Sequence, residues 1–276
     1  MKRLILICTT FLMMFVSSAS AAQKITLADV TSSKFAPKVV SGINPIEGTD
    51  TYARISDDGK RIVTYSFKTG REQSVLFDVN NTMGEKISSF DGYTMSPDGT
   101  RLLIQTKTNY IYRRSYTAVH YIYTIASRKL ERLSDGGPQQ VPTWSSDGQQ
   151  VAFVREGNIF LVKLLYDNAE IQVTKDGKFN EVINGIPDWV NEEEFGFNRA
   201  LTFNADGTML CWIRYDESKV KTYSLQMYKG MRPEHSDYTD YPGFYSYKYP
   251  KAGQDNSVVT AWSYDIKSRK TLRLNV

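Results

Sequence analysis

The chain, 276 residues long, predicts an all-β fold, a β-propeller of four-stranded antiparallel blades, on three observations. A short turn motif recurs four times. An apolar or alternating stretch of strand length follows each copy, and no long segment carries a 3.6-residue apolar period. The 18 tyrosines and 13 phenylalanines agree, because aromatic side chains suit a pleated, half-buried surface.

The turn reads Ser56-Asp57-Asp58-Gly59, then Ser96-Pro97-Asp98-Gly99, Ser145-Ser146-Asp147-Gly148 and Asn204-Ala205-Asp206-Gly207. Each Asp-Gly marks a tight hairpin, because glycine adopts the positive φ that such a turn needs. Strands are expected directly after the turns, at 62–67, 102–106, 151–154 and 209–213. The four glycines lie 40, 49 and 59 residues apart, close to the roughly 40 to 50 residues of a propeller blade. A sandwich would share the strands but not the repeated unit of turn and strand. Four turns imply four blades, and the strand-like stretches 257–262 and 271–276 offer part of a fifth. A ring closes with about 4 to 8 blades, and the last residues read as a strand in mid-blade. The expectation is an incomplete propeller of about four to five blades in a truncated chain.

The N-terminus predicts the compartment. Met1-Lys2-Arg3 is a basic start, residues 4–16 are apolar apart from Thr9 and Thr10, and Ala19-Ser20-Ala21 fits a small-x-small cleavage rule. That pattern is a secretory signal over residues 1–21, too short in its apolar run to span a bilayer. The mature domain is then 22–276, secreted or periplasmic, with no membrane span after cleavage. Loss of Lys2 and Arg3 lowers the formal charge from +4 to +2, too weak a balance for a nucleic-acid partner. Cys8 leaves with the signal, so Cys211 has no intrachain partner. Its apolar neighbours, Leu210 and Trp212, mark it as a small buried hydrophobe.

The widest gap between turns holds the most informative segment, Asn184-Gly185-Ile186-Pro187-Asp188-Trp189-Val190-Asn191-Glu192-Glu193-Glu194-Phe195. Three consecutive acids are ordinarily a solvated loop, but Trp189, Phe195 and Phe197 are placed to anchor this one. Neighbouring side chains on a strand point to opposite faces, whereas on a helical turn they lie about 100° apart. Two adjacent carboxylates that serve one point therefore call for a short helical insertion. Such a pair suits a cation, and a free α-amino group is the obvious one among peptides. A second segment, Tyr110-Ile111-Tyr112-Arg113-Arg114-Ser115-Tyr116-Thr117-Ala118, sets an arginine pair among tyrosines on a strand edge. Arginine there is either surface decoration or a planar donor to peptide carbonyls or a carboxylate.

Together these segments resemble the dipeptidyl peptidase IV family. Asn-Gly-Ile-x-Asp-Trp-Val-x-Glu-Glu-Glu is similar to its glutamate motif, Arg113-x-Ser115-Tyr116-Thr117-Ala118 to its arginine segment, and Tyr249-Pro250-Lys251-Ala252-Gly253 to its downstream marker. Order and spacing agree over nearly the whole mature chain. The resemblance implies that Glu193 and Glu194 hold the protonated N-terminus of a substrate peptide and that Arg113 contacts its backbone carbonyl. It also implies a gating propeller for a serine exopeptidase that releases N-terminal Xaa-Pro or Xaa-Ala dipeptides. Asn191 departs from the family's usual tyrosine without removing a ligand.

The family's acyl-transfer chemistry needs an α/β-hydrolase domain with a Gly-x-Ser-x-Gly elbow, and this sequence has none. Of its histidines, His120 sits in a strand-like stretch as a surface or packing residue, and His235 lies in a loop rich in Pro and Tyr. No catalytic residue, metal-ligand spacing or phosphate-cradling glycine loop is present, so no metal or cofactor is expected. The expected partners are peptide N-termini, a C-terminal hydrolase domain on the rest of a longer chain, and a homo-oligomer. A non-catalytic periplasmic peptide-binding module, or an interaction propeller whose acidic loop is merely structural, are the alternatives.

Overall fold

All four turn motifs fold alike. In the computed structural model, which describes residues 24–37, 39, 42–229 and 240–276, Gly59, Gly99, Gly148 and Gly207 have φ of +67°, +68°, +68° and +70°. The first residue of each motif closes the turn with its side chain. Ser56, Ser96 and Ser145 accept the backbone N–H of Arg61, Arg101 and Gln150 on Oγ, each at 2.9 Å. Asn204 does the same for Met209 with Oδ1 at 2.8 Å, so the Ser-to-Asn change keeps an acceptor in place. The expected signal over residues 1–21, and His235, lie outside the described residues.

Residues up to Ile43 make a unit of their own. There the one-turn helix α1 (Leu27–Thr31) starts at a capping box in which Thr26 and Asp29 satisfy each other's backbone N–H.

The second unit, from Asn44 on, is a set of blades. Blade one is β1 (Asn44–Pro45), β2 (Thr51–Ile55), β3 (Arg61–Ser66) and β4 (Glu72–Asp78), paired in chain order. Blade two runs from β6 (Gly92–Met95) through β7 (Arg101–Tyr110) and β8 (Tyr116–Thr124) to β9 (Lys129–Arg132), with the short β5 (Met83–Gly84) parallel to β9 on its outside. Blade three is β10 (Gln140–Trp144), β11 (Gln150–Arg155), β12 (Asn158–Lys163) and β13 (Ala169–Gln172).

Blade four has a divided edge. Both β14 (Val182–Asn184) and β15 (Leu201–Phe203) pair with β16 (Met209–Asp216), each covering part of its length. The chain between them forms the helix α2 (Trp189–Phe195), which accounts for the long third spacing between turns. After β16 a two-stranded hairpin, β17 (Thr222–Met227) with β18 (Gly243–Lys248), departs from the blade. The chain then returns as β19 (Val258–Asp265) and β20 (Lys270–Arg273), which complete the same sheet. The strands expected to begin a fifth blade thus belong to the fourth, because β19 pairs with β16 along all of it.

Packing between blades explains why the strands after the turns are apolar without alternation. Leu102 and Ile104 pack with Ile62 and Phe77 of blade one, while Leu103 joins Val151 and Phe153 of blade three. Ala152 and Val154 in turn meet Leu210 and Trp212 of blade four. A strand covered on both faces has no solvent side, so both parities are apolar. In the first half of β16 only Leu210 and Trp212, on one face, are buried, which leaves Cys211 between them half-buried rather than buried. His120 is the packing residue expected of it. It is enclosed beside Gln139, whose Oε1 accepts the His120 N–H at 2.9 Å, and burial pushes its imidazole down to about 4.

Candidate functional site

Helix α2 stands where its ends dictate. Asp188 caps its N-terminus, accepting the Asn191 N–H at 2.9 Å and the Asn191 side-chain amide at 2.7 Å. Ser257, just before β19, donates its hydroxyl to the other oxygen of Asp188. Gly196 ends the helix in the left-handed conformation, φ +75°. Just upstream, Gly185 has φ +77°, and a Cβ there would sit 2.8 Å from Leu201 and 3.1 Å from Val154. Only glycine allows the chain to leave β14 this close to the blade core.

The three acids of α2 occupy three different environments. Glu192 is buried. One of its oxygens accepts the backbone N–H groups of Arg114 and Ser115, at 2.9 and 2.7 Å. Arg114 in addition donates its guanidinium to the Glu192 carbonyl at 3.2 Å, and Asn198 donates to the Arg114 carbonyl at 2.8 Å. Residues 111–115 are therefore a loop between β7 and β8, clasped to α2. They are not the strand edge that the sequence suggested, because the ladder between β7 and β8 ends at Tyr110 and Tyr116.

Glu193, the next acid, is half-buried and faces Arg113, with Nε to Oε2 at 3.4 Å. The Arg113 side chain is 72% exposed, so its guanidinium is offered to solvent on the side away from the glutamate. Glu194 is exposed and makes no hydrogen bond or ion pair among the described residues. Arg113 and Glu193 are thus brought together, and Glu194 follows on the open side of the same helix.

The third sequence motif joins from behind. Trp189, the first residue of α2, packs against Tyr249 with ring centroids 4.5 Å apart and against Tyr247 of β18 at 6.2 Å. Tyr112 meets the same Tyr247 at 6.0 Å. All three motifs read from the sequence therefore meet around α2. Phe195, expected to anchor the acidic segment, is instead 72% exposed. Trp189 does anchor the segment, together with two polar groups, Glu192 and Asp188, and the anchoring role of Glu192 was missed. A buried member of an acid run is not distinguishable in sequence from its exposed neighbours. Among the described residues no group of acids, histidines and cysteines is arranged to hold a metal ion. Nor is any helix among them long and apolar enough to cross a membrane.

An exposed arginine beside one half-buried and one exposed carboxylate can receive a group with a positive end and a carbonyl acceptor close behind it. Comparisons with known proteins identify the family. Residues 96–276 match the family described as "Dipeptidyl peptidase IV (DPP IV) N-terminal region". A probable dipeptidyl-aminopeptidase B of Tuber melanosporum is 32% identical, over 94% of this chain and 31% of its own length. The prolyl endopeptidase FAP of Homo sapiens is 30% identical, over 90% of this chain and 31% of its own. Among solved structures, dipeptidyl peptidase 4 of Porphyromonas gingivalis superposes with a TM-score of 0.85 at 35% identity, covering 92% of this chain and 35% of that one. The chain spans about a third of the length of the relatives it matches.

Proposed function

Because the chain belongs to the dipeptidyl peptidase IV family, we propose that Glu193 and Glu194 hold the protonated N-terminus of a peptide while Arg113 donates to its backbone carbonyl. The observation that carries this reading is the clasp made by Glu192. By accepting the N–H groups of Arg114 and Ser115, it brings Arg113 within 3.4 Å of Glu193. Charge-assisted hydrogen bonds to an ammonium are about twice as strong as neutral ones, and the guanidinium fork matches a carbonyl oxygen.

In this reading the propeller admits a peptide and measures its start. Release of N-terminal Xaa-Pro or Xaa-Ala dipeptides then falls to an α/β-hydrolase domain of the whole protein. The chain itself hydrolyses nothing, since it has no Gly-x-Ser-x-Gly and His120 is enclosed beside Gln139. It is exported, secreted or periplasmic, by the signal in residues 1–21.

Calorimetry with an Xaa-Pro peptide and its N-acetylated twin tests the reading. The free amine should bind the folded chain more tightly, and equal affinities would leave the acidic turn as structure alone.

A further inference from the structure

On the other side of α2 lies a cavity of 310 Å³, at the small end of the range for small-molecule sites. Ile111, Phe179, Ile183, Ile186 and Trp189 give it an apolar wall. Two polar groups in that wall lack partners. Glu217 is 7% exposed, and its carboxylate has no hydrogen bond or ion pair among the described residues. Ser115 is 9% exposed, and its hydroxyl has no hydrogen-bond partner in the protein. A buried carboxylate left unpaired is costly, so Glu217 marks a place where a ligand restores the missing bonds.

Charge selects the ligand's sign. Glu156, Asp188, Glu192 and Glu217 line the cavity against a single cation, Lys248. That lysine is already held, donating to the Val220 carbonyl at 2.6 Å. Asp188 is occupied by Asn191 and Ser257, and Glu192 by two backbone N–H groups. Glu217 is the enclosed acid with acceptors to spare. Tyr112, Trp189 and Tyr245 add ring faces on which an ammonium rests favourably.

We propose that this cavity is a second binding site, separate from the acidic turn, for a small apolar amine in its protonated form. The ammonium sits on Glu217, and the hydrocarbon part fills the wall of isoleucine, phenylalanine and tryptophan. The inference does not depend on the role proposed for Glu193 and Glu194.

The test is titration of the full chain at pH 8 with 2-phenylethylamine, with 2-phenylethanol as the uncharged twin of the same shape. Saturable binding of the amine is expected, with a preference over the alcohol of about tenfold or more for one charge-assisted hydrogen bond. Burial raises Glu217 to about 7, so the preference should shrink as the pH falls to 6, a readout that needs no variant. Folded Glu217→Gln should lose the preference, and the double variant Glu193→Gln with Glu194→Gln should keep it. No saturable binding of the amine, equal binding of amine and alcohol, or an undiminished preference in folded Glu217→Gln would each overturn the proposal. Loss of the preference in the double variant alone would assign the amine to the acidic turn, overturning this site while supporting the function proposed above.

Discussion

Glu192 and Ser115 stand 77 residues apart in sequence, and the Glu192 carboxylate accepts the Ser115 N–H at 2.7 Å. That bond and its neighbour from Arg114 tie an insertion in blade four to a loop of blade two. The Arg113 guanidinium faces Glu193 because its own backbone is held from the next residue on. Two acids adjacent in sequence thus divide the labour, Glu192 inward as a fastener and Glu193 toward Arg113.

Stability should separate the two acids. Glu192→Ala leaves two backbone donors without their charged acceptor and should cost on the order of 1.5–3 kcal/mol, measured by urea unfolding. Arg113→Ala removes an ion pair with one exposed partner and should shift stability by less than about 1 kcal/mol. Equal losses would mean that Glu192 is not the fastener.

Binding should invert that order. Glu193→Gln combined with Glu194→Gln should erase the preference for a free over an acetylated peptide N-terminus, at on the order of 1.5–3 kcal/mol for each charged hydrogen bond lost. Arg113→Ala should weaken both peptides alike, because the role proposed for it is toward the carbonyl and not the amine. Calorimetry on each folded variant reads both effects.

Two buried groups give stability a pH dependence of opposite signs. Glu217 is raised from 4.5 to about 7, first by burial and then by the charge of Asp188. The folded state therefore keeps a proton that the unfolded state releases, and this contribution is lost as pH rises from 4.5 to 7. His120 is lowered from 6.5 to about 4 by burial, so its contribution is full above 6.5 and lost as pH falls toward 4. Between about pH 4.5 and 6.5 the two slopes oppose each other in the wild type. Glu217→Gln should expose the histidine slope, making stability rise with pH across that window, and should raise stability at pH 8 by up to about 3 kcal/mol at roughly 1.4 kcal/mol per pH unit. Melting curves at pH 5, 6.5 and 8 decide it, and a flat profile in the variant would refute the assignment.

Gly185→Ala should be among the more damaging small substitutions. It forces a side chain into positive φ and places Cβ 2.8 Å from Leu201, a cost of about 2 kcal/mol or more. Gly59→Ala has the same sign of φ but open space around the new atom, so its cost should be smaller. Denaturant midpoints of the two variants give the comparison.

Turnover is the simplest measurement. The purified chain should not release chromophore from an Xaa-Pro substrate, having no nucleophile elbow and with His120 enclosed beside Gln139. A rate that follows the protein through further purification and survives Glu193→Gln with Glu194→Gln would contradict this.

By itself the sequence determined what is local. A Ser or Asn three residues before a glycine closes its turn with its own side chain, so Ser56, Ser96, Ser145 and Asn204 announce the blades wherever the rest of the chain lies. The unbroken apolar run of β11 announces burial on both faces, and the acid triplet announces a helix because a strand would scatter its carboxylates. Only the tertiary structure decided what depends on distant partners. The return of β19 to β16 after a long excursion put the expected start of a fifth blade into the fourth. The choice of Glu192 as the buried acid rested on two N–H groups from another blade, and the half-burial of Cys211 on what covers each face of β16. Glu217 follows the same logic. Nothing beside it in sequence sets it apart from other acids, and its raised pKa comes from burial in the walls of a cavity that exists only once α2, β14 and β18 have come together, and then from Asp188.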